Sequence, residues 1–471
     1  MHVVAVPRHR IETRFADYVG IAKSLRHPNP GDIQRFEREF AAYVGCKHAI
    51  AVSSGRLAMH LILEACGGGE GDEAIVPAFN LFAVVERFCQ LGIAPRFADV
   101  RRHDLTVDPA AVEQRITPRT RFLLVTHMFG HAAAMGPLCE LAERHGLTLL
   151  EDCAHALGTQ YDGRFVGTFG RAAIFSFSVL KLITTFGGGM IATQDDELAE
   201  RIRERLASLR DLQPQPLGWR KALGGAIMDM GTRTAAFSLA GWPLLHLLRG
   251  LRPGFDKSIV TELPRPVRNF DPAGVPPLHP FQGLLGLSQL ARVEELIESR
   301  RRVSAWLDAA LASAGGVQTL RSSAKSRWNG LYYGILADQP GDLSQHLFRH
   351  GIDSETSEYL NCADLPMYAE HFVDCPIARD VQSRILRLPN HPGMSRRQVL
   401  RIARQVRRFY AGRVCRTATV PAASAHGAIG GAGTSNHGRP GRVTAALLGQ
   451  PRGIGQQNDA RAVATYAPIG D

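Results

Sequence analysis

The chain has 471 residues, 45% hydrophobic and 21% charged, a balance that excludes a disordered or fibrous protein and allows more than one folded unit. Its net charge of +11 admits nucleic acid, anionic lipid or phosphorylated ligands, but no arginine-rich block with interleaved aromatics marks a nucleic-acid surface. None of the eight cysteines falls in a C-x-x-C unit, no metal site is expected, and the opening lacks a signal-peptide core, so a reduced, cytoplasmic setting is predicted.

Residues 1–30 read as an N-terminal arm. From there to about residue 210, strand and helix signals alternate. "DIQRFEREFAAYVG" has helical spacing, with Phe36, Phe40 and Tyr43 on one side. "HAIAVSS" is a short apolar strand, and "GRLAMHLILEACG" is a helix stopped by glycine. "DEAIVP", "PRFADV", "RFLLVTH", "LTLLED", "AAIFSFS" and "GGMIAT" are further strands; "NLFAVVERFCQLG", "GPLCELAERHG" and "DDELAERIRERLASLR" are helices. This alternation predicts a mostly parallel sheet covered on both faces, with ligands outside the carboxyl ends of its strands.

The pattern breaks in an apolar, Gly/Pro-punctuated insert at about 211–279. Its run Ala235–Leu248 is too short to span a bilayer, which needs about 20 residues. A buried or interface hairpin and a segment lying on an anionic membrane surface through 222–252 both stay open. One long amphipathic helix is predicted from Pro280 to Arg302, and a smaller α+β domain over 280–411 ends in the helical "SRRQVLRIARQVRRFY". The tail 412–471 lacks periodicity and reads as disordered.

Candidate chemistry sits where strands stop. Ser53, Ser54, Gly55 and Arg56 stand at a strand-to-helix turn, where a helix N-terminus favours an anion. Asp152 ends a strand, with His155 close behind. "FSFSVLKLITTFGGG" supplies Ser176 and Lys181; Thr184 and Thr185 are expected to line the same pocket. An anion turn, a carboxylate for a protonated nitrogen and an apolar-set lysine together describe a pyridoxal phosphate site. Phosphate would rest on the Gly55/Arg56 turn and Ser176, the ring nitrogen on Asp152, and the aldehyde on Lys181.

The segments "FEREFAAYVGCKHAIAVSSG", "GDEAIVPAFN", "LLEDCAHALGTQYDGRFVGTFGRAAIFSFSVLK" and "CPIARDVQSRILRLPNHPGMSRRQV" resemble, in wording and order, the DegT/DnrJ/StrS family of pyridoxal phosphate aminotransferases. The resemblance implies an aspartate-aminotransferase-like α/β fold (fold type I). It implies a large cofactor-binding domain over 31–279 with a seven-stranded, mostly parallel sheet, a smaller C-terminal domain and a homodimer. Lys181 matches the Schiff-base lysine, Asp152 the pyridine partner, His155 a glutamine or histidine beside the ring, and Ser176 a phosphate-binding serine. The chain departs at Ser54-Gly55-Arg56, where the family has Ser-Gly-Thr, and at Leu81, where the family has a stacking aromatic; Phe82 stands adjacent and can serve instead. The family's Gly-Tyr-Asn segment has no clear match in 265–285.

The implied reaction moves an amino group from glutamate to a nucleotide-linked keto sugar, as in surface polysaccharide or secondary-metabolite biosynthesis. Three alternatives carry weight: a sugar dehydratase, against which Lys181 argues because such relatives have histidine there; a non-catalytic regulatory relative; and a membrane-associated member, at the inner face, with another acceptor.

Overall fold

The computed structural model describes residues 4–210, 212–213, 217–251, 270–356 and 358–417. Its main sheet has the expected seven strands: β1 (His48–Val52), β2 (Glu73–Pro77), β3 (Ala94–Ala98), β4 (Thr120–Thr126), β5 (Thr148–Asp152), β6 (Ala172–Ser176) and β7 (Gly189–Thr193). Their order across the sheet is β1-β7-β6-β5-β4-β2-β3. β7 runs antiparallel to both neighbours, and every other pairing is parallel. Central strands such as "EAIVP" are buried along their whole length because helices cover both faces, so their sequences run apolar without alternation.

The covering helices are α1 (Phe15–Arg26), α2 (Gly31–Val44), α3 (Gly55–Ala65), α4 (Phe82–Gln90), α5 (Pro109–Glu113), α6 (Met135–Arg144) and α7 (Asp196–Arg210). The helical spacing read in α2 puts Phe36 and Phe40 inward, with ring centroids 5.3 Å from Phe177 and 5.0 Å from Phe175 respectively. Gly45 ends that helix in the left-handed conformation (φ 82°) that glycine adopts without steric cost.

Six strands point the same way, so their carboxyl ends share one edge of the sheet. The register sharpens this: Val52, Gly189 and Ser176 are level across β1, β7 and β6, and Asp152 is level with Ile174 two residues earlier on β6.

The chain continues through α8 (Gly218–Thr232), α9 (Trp242–Leu251), α10 (Pro280–Leu290), α11 (Val293–Leu311), α12 (Pro340–Arg349), α13 (Pro376–Arg384) and α14 (Arg396–Thr417). A second, antiparallel sheet has β8 (Val317–Thr319), β9 (Tyr333–Ala337), β10 (Glu355–Thr356) and β11 (Ile385–Leu388) in the order β8-β9-β11-β10. It owns a separate core in which Ile335 and Leu386 meet Val303 and Leu307 of α11 and Val399 and Ile402 of α14.

The single helix expected over 280–302 is two. Arg292 leaves the helical conformation (φ −117°, ψ 5°), and its guanidinium pairs with buried Asp17 at 3.1 Å. The two pieces pack differently: Gly283 and Gly286 press α10 onto the Asp32 backbone and the Phe36 ring, while α11 sets Val293, Leu296 and Ile297 in the main core and runs on to place Val303, Leu307 and Leu311 in the second. The N-terminal arm is woven into the fold. Val6 bridges to Ile352, and Arg8 pairs with Asp353 (2.7 Å) and Glu355 (3.0 Å). Residues 252–269 of the insert and the tail beyond Thr417 lie outside the described residues.

The first residue of β7 tolerates no side chain. A Cβ on Gly189 would stand 2.8 Å from Gly55 N and from Ser54 C, and 2.9 Å from Phe175 O, all backbone atoms that cannot rotate away. Gly189→Ala is therefore expected to cost about 1–3 kcal/mol, the usual range for overpacking, read as a lowered midpoint in denaturant unfolding; an unchanged midpoint contradicts this packing.

Candidate active site

At the end of β1, Ser54 takes extended backbone angles and caps α3, its Oγ accepting the Leu57 N–H at 3.2 Å. The first turn of a helix leaves N–H groups without intrahelical acceptors, and the helix dipole adds positive potential there. Gly55 opens that turn, and a Cβ added to it would lie 3.6 Å from the Ser176 Cβ, so Ser176 of β6 faces the same spot. Buried Ser53, one residue earlier, has a hydroxyl without a hydrogen-bond partner among the described residues. Arg56 stands half-buried on the first turn. Helix N–H groups, hydroxyls and an arginine form a donor set suited to a phosphate.

Asp152 ends β5, buried, one carboxylate oxygen accepting the Ala154 N–H at 2.9 Å. Burial raises its pKa, against the Ala154 N–H and the more distant Lys181 and His127. A carboxyl held this way gains most from a cation brought against it, and a protonated pyridine nitrogen is such a cation. Its neighbour Glu151, on the opposite face, does different work. It accepts the Gly167, Phe169 and Gly170 N–H groups at 2.7 Å each and meets His127 Nε2 at 3.1 Å. Ala133 N–H occupies the other nitrogen of His127 at 3.1 Å. Cys153 lies close enough to join those two in a metal cage, but the bonds just described give Glu151 and His127 a structural role, pinning two loops under the site.

Lys181 sits in the loop between β6 and β7. Its N–H bonds Ser178 O at 3.1 Å, and Phe177 ties the loop shut by receiving the Thr185 and Gly187 N–H groups on its carbonyl, each at 3.1 Å. Phe186 takes a left-handed angle (φ 59°), and Gly187 and Gly188 follow with φ of 108° and 134°. Thr184 and Thr185 do not line the pocket as expected. Both are buried, and their hydroxyls bond the loop's own carbonyls, Thr184 to Phe177 O and Thr185 to Gly187 O. The Lys181 amine has its pKa pulled down to about 8 by burial and by Arg387, against the carboxylates of Glu358 and Asp152.

His155 is buried and fixed at both ring nitrogens. Phe129 N–H donates to Nδ1 at 3.3 Å, and the Tyr359 hydroxyl lies 2.7 Å from Nε2. Burial, with Lys181 and Arg387 nearby, drops its pKa well below the ordinary value, so the ring is neutral. With Nδ1 accepting, Nε2 carries the proton and donates it to the Tyr359 oxygen. Phe82, the first residue of α4, is buried in the large core, and its carbonyl accepts the Tyr368 hydroxyl at 3.2 Å. Leu81 before it is the helix N-cap and keeps partial exposure.

The second sheet adds residues that the sequence reading did not find. Arg387 on β11 faces Glu355 across the strand pair and bonds it at 2.6 Å. Its guanidinium lies 4.7 Å from the Tyr332 ring centre and 5.9 Å from that of Tyr359. The Tyr332 hydroxyl reaches over to donate to Leu180 O, next to Lys181, at 3.2 Å. These residues lie about 150–200 positions beyond Lys181; no motif marks Tyr332 or Tyr359, and Arg387 falls within the segment "CPIARDVQSRILRLPNHPGMSRRQV" with nothing in its spacing to single it out.

The site therefore gathers Ser54, Gly55, Arg56, Asp152, His155, Ser176 and Lys181 at one edge of the sheet, and its donors and carboxylate fit pyridoxal phosphate. Comparison with known proteins agrees. The model of the DegT/DnrJ/EryC1/StrS aminotransferase family matches residues 10–231 and 277–407. L-glutamine:2-deoxy-scyllo-inosose aminotransferase of Streptomyces paromomycinus is 33% identical over 337 residues, 71% of this chain and 69% of that protein. GDP-perosamine synthase of Escherichia coli O157:H7 is 28% identical over 382 residues, 80% of this chain and 90% of that protein. Among solved structures, S. venezuelae DesV in complex with a ketimine intermediate is 29% identical with a TM-score of 0.67, covering 86% of this chain and 99% of that one. The chain is a pyridoxal-phosphate-dependent aminotransferase and belongs to the DegT/DnrJ/EryC1/StrS family.

Proposed function

We propose that this aminotransferase moves the amino group of glutamate to a keto sugar on a nucleotide carrier. The observation that carries the reading is a single amine, Lys181, with its pKa lowered toward neutrality, beside a buried carboxylate and a phosphate-shaped turn. The sugar class is supported by relatives such as GDP-perosamine synthase, of Caulobacter vibrioides (34% identical over 283 residues) as well as of Escherichia coli.

Each residue has a part. Ser54, Gly55, Arg56 and Ser176 hold the phosphate. Asp152 keeps the proton on the ring nitrogen, and His155 flanks the ring with its orientation set by Phe129 and Tyr359. Leu81 and Phe82 form the apolar wall at the start of α4. Bound pyridoxal phosphate supplies an electron sink and a temporary place for the amino group. Lys181 Nζ would hold the cofactor and, once freed by the donor, would be the base that takes the proton from the donor's α-carbon. A depressed amine pKa leaves Nζ a usable base near neutral pH. Residues 31–279 then act as the cofactor-holding domain and 280–411 as its smaller companion, in a cytoplasmic homodimer; the cysteines described in the structure are all free thiols.

Two measurements test this reading. The purified protein is expected to show the visible absorbance of lysine-bound cofactor, to lose that band on adding glutamate, and to regain it with a keto-sugar nucleotide; Lys181→Ala should lack the band from the start. A wild-type protein without the band, or a Lys181→Ala variant that keeps it, contradicts the assignment. In cofactor-free protein, acylation of Lys181 is expected to rise with pH about a midpoint near 8. Glu358→Gln removes a charge that favours the ammonium form, so it should move the midpoint down. Arg387→Gln removes one that opposes it, so it should move the midpoint up. Shifts of the opposite sign would contradict the electrostatic account.

A further inference from the structure

Helix α8 is built inside out, and α9 extends its exposed apolar face. The inward face of α8 carries Ala222, Gly225 and Asp229, small or polar and buried. Gly225 sits against the Phe186 ring of the lysine loop, and Asp229 pairs with Arg233 (2.8 Å) and accepts the Tyr18 hydroxyl (2.7 Å). The outward face carries Trp219, Leu223, Ile227 and Met230, at a spacing that lines them in one stripe, each more than half exposed. Beyond a short π-helical segment, Phe237–Gly241, α9 keeps one aromatic inward and adds leucines to the exposed apolar face. Trp242 donates to Phe348 O at 3.2 Å on the inner side, and Leu244, Leu247 and Leu251 face solvent. Of the fifteen exposed large hydrophobic residues described, nine lie between 217 and 251. An ordinary surface helix puts its large apolar residues inward, so this face is built to be covered.

Two observations select the cover. The family model leaves residues 232–276 unmatched, so surfaces common to the family do not account for the stripe on α9. The segment is also basic: residues 217–251 contain four Lys and Arg against one Asp, 4 − 1 = +3, with Asp229 already buried in its ion pair with Arg233. Apolar side chains presented within a basic segment match an anionic bilayer surface. Among the described residues no helix is long and apolar enough to cross a membrane, so the contact is peripheral. We infer that α8 and α9 form a docking surface for anionic lipid, of which α8 packs on the loop that carries Lys181.

The test is flotation of the full-length protein with vesicles of phosphatidylcholine mixed with phosphatidylglycerol, and with phosphatidylcholine alone. Wild type should float with the anionic vesicles, less in high salt and less with phosphatidylcholine alone. A variant combining Leu223→Ser, Ile227→Ser, Leu244→Ser and Leu247→Ser should lose partition by about tenfold or more, since each exchange removes apolar area from the contact. All four positions are exposed, so the variant should keep the visible cofactor absorbance, which separates failure of the surface from failure of the enzyme reading. Wild type that stays with the buffer, or a variant that floats equally well, overturns the proposal. A variant that instead turns a dimer into a monomer by light scattering, without vesicle binding by wild type, assigns the stripe to a second copy and also overturns it.

Discussion

The site depends on one contact between backbones. β7 returns antiparallel between β1 and β6, and its first residue, Gly189, lies against the Ser54–Gly55 turn with no room for a Cβ. That contact makes Val52, Gly189 and Ser176 a level row, and strands in a sheet lie about 4.8 Å apart. The start of α3 thereby folds over Gly189 onto the end of β6, where a Cβ on Gly55 would stand 3.6 Å from the Ser176 Cβ, close enough for both to share one phosphate. The same return forces the chain from Ser176 to Gly189 into a closed loop, and Lys181 rides on it.

Charge at this edge is governed mainly by burial. Burial pushes the Asp152 carboxyl up, pulls the Lys181 amine down and keeps His155 neutral. The second sheet then tunes the balance. Arg387 is buried and held charged by Glu355 and Glu358, and it works against protonation of both Lys181 and His155. The aromatic rings of Tyr332 and Tyr359 separate that cation from the lysine loop while bonding Leu180 and His155. A cofactor bound here would meet groups oriented before it arrives, the arrangement that electrostatic catalysis requires.

The sheet and half of the site were legible in the sequence because their signals are local. A buried parallel strand is a short apolar run, and a strand-end serine, aspartate or lysine is found by looking where such runs stop. The segments that failed lacked such signals. Pro280 to Arg302 keeps helical periodicity through Arg292, and the break there comes from tertiary packing, α10 pressing on Phe36 and Arg292 turning to pair with Asp17 while α11 runs from the main core into the second. Thr184 and Thr185 have the chemistry of pocket residues, yet a tight loop with three left-handed positions needs their hydroxyls for its own carbonyls. Tyr332, Tyr359 and Arg387 reach the lysine only through tertiary packing, which spacing along the chain does not reveal. The apolar insert was visible as composition, but its inverted faces appear only once the buried side is known.

The central claim is that Lys181 is the amine that holds the cofactor. The chain has six lysines, and among the described residues Lys181 is the one in the loop at the carboxyl edge of the main sheet. Borohydride reduction of the purified protein, followed by peptide mass spectrometry, locates the attachment directly. The account predicts the cofactor's added mass on the peptide containing Lys181; the added mass on any other lysine, or on none, would contradict it.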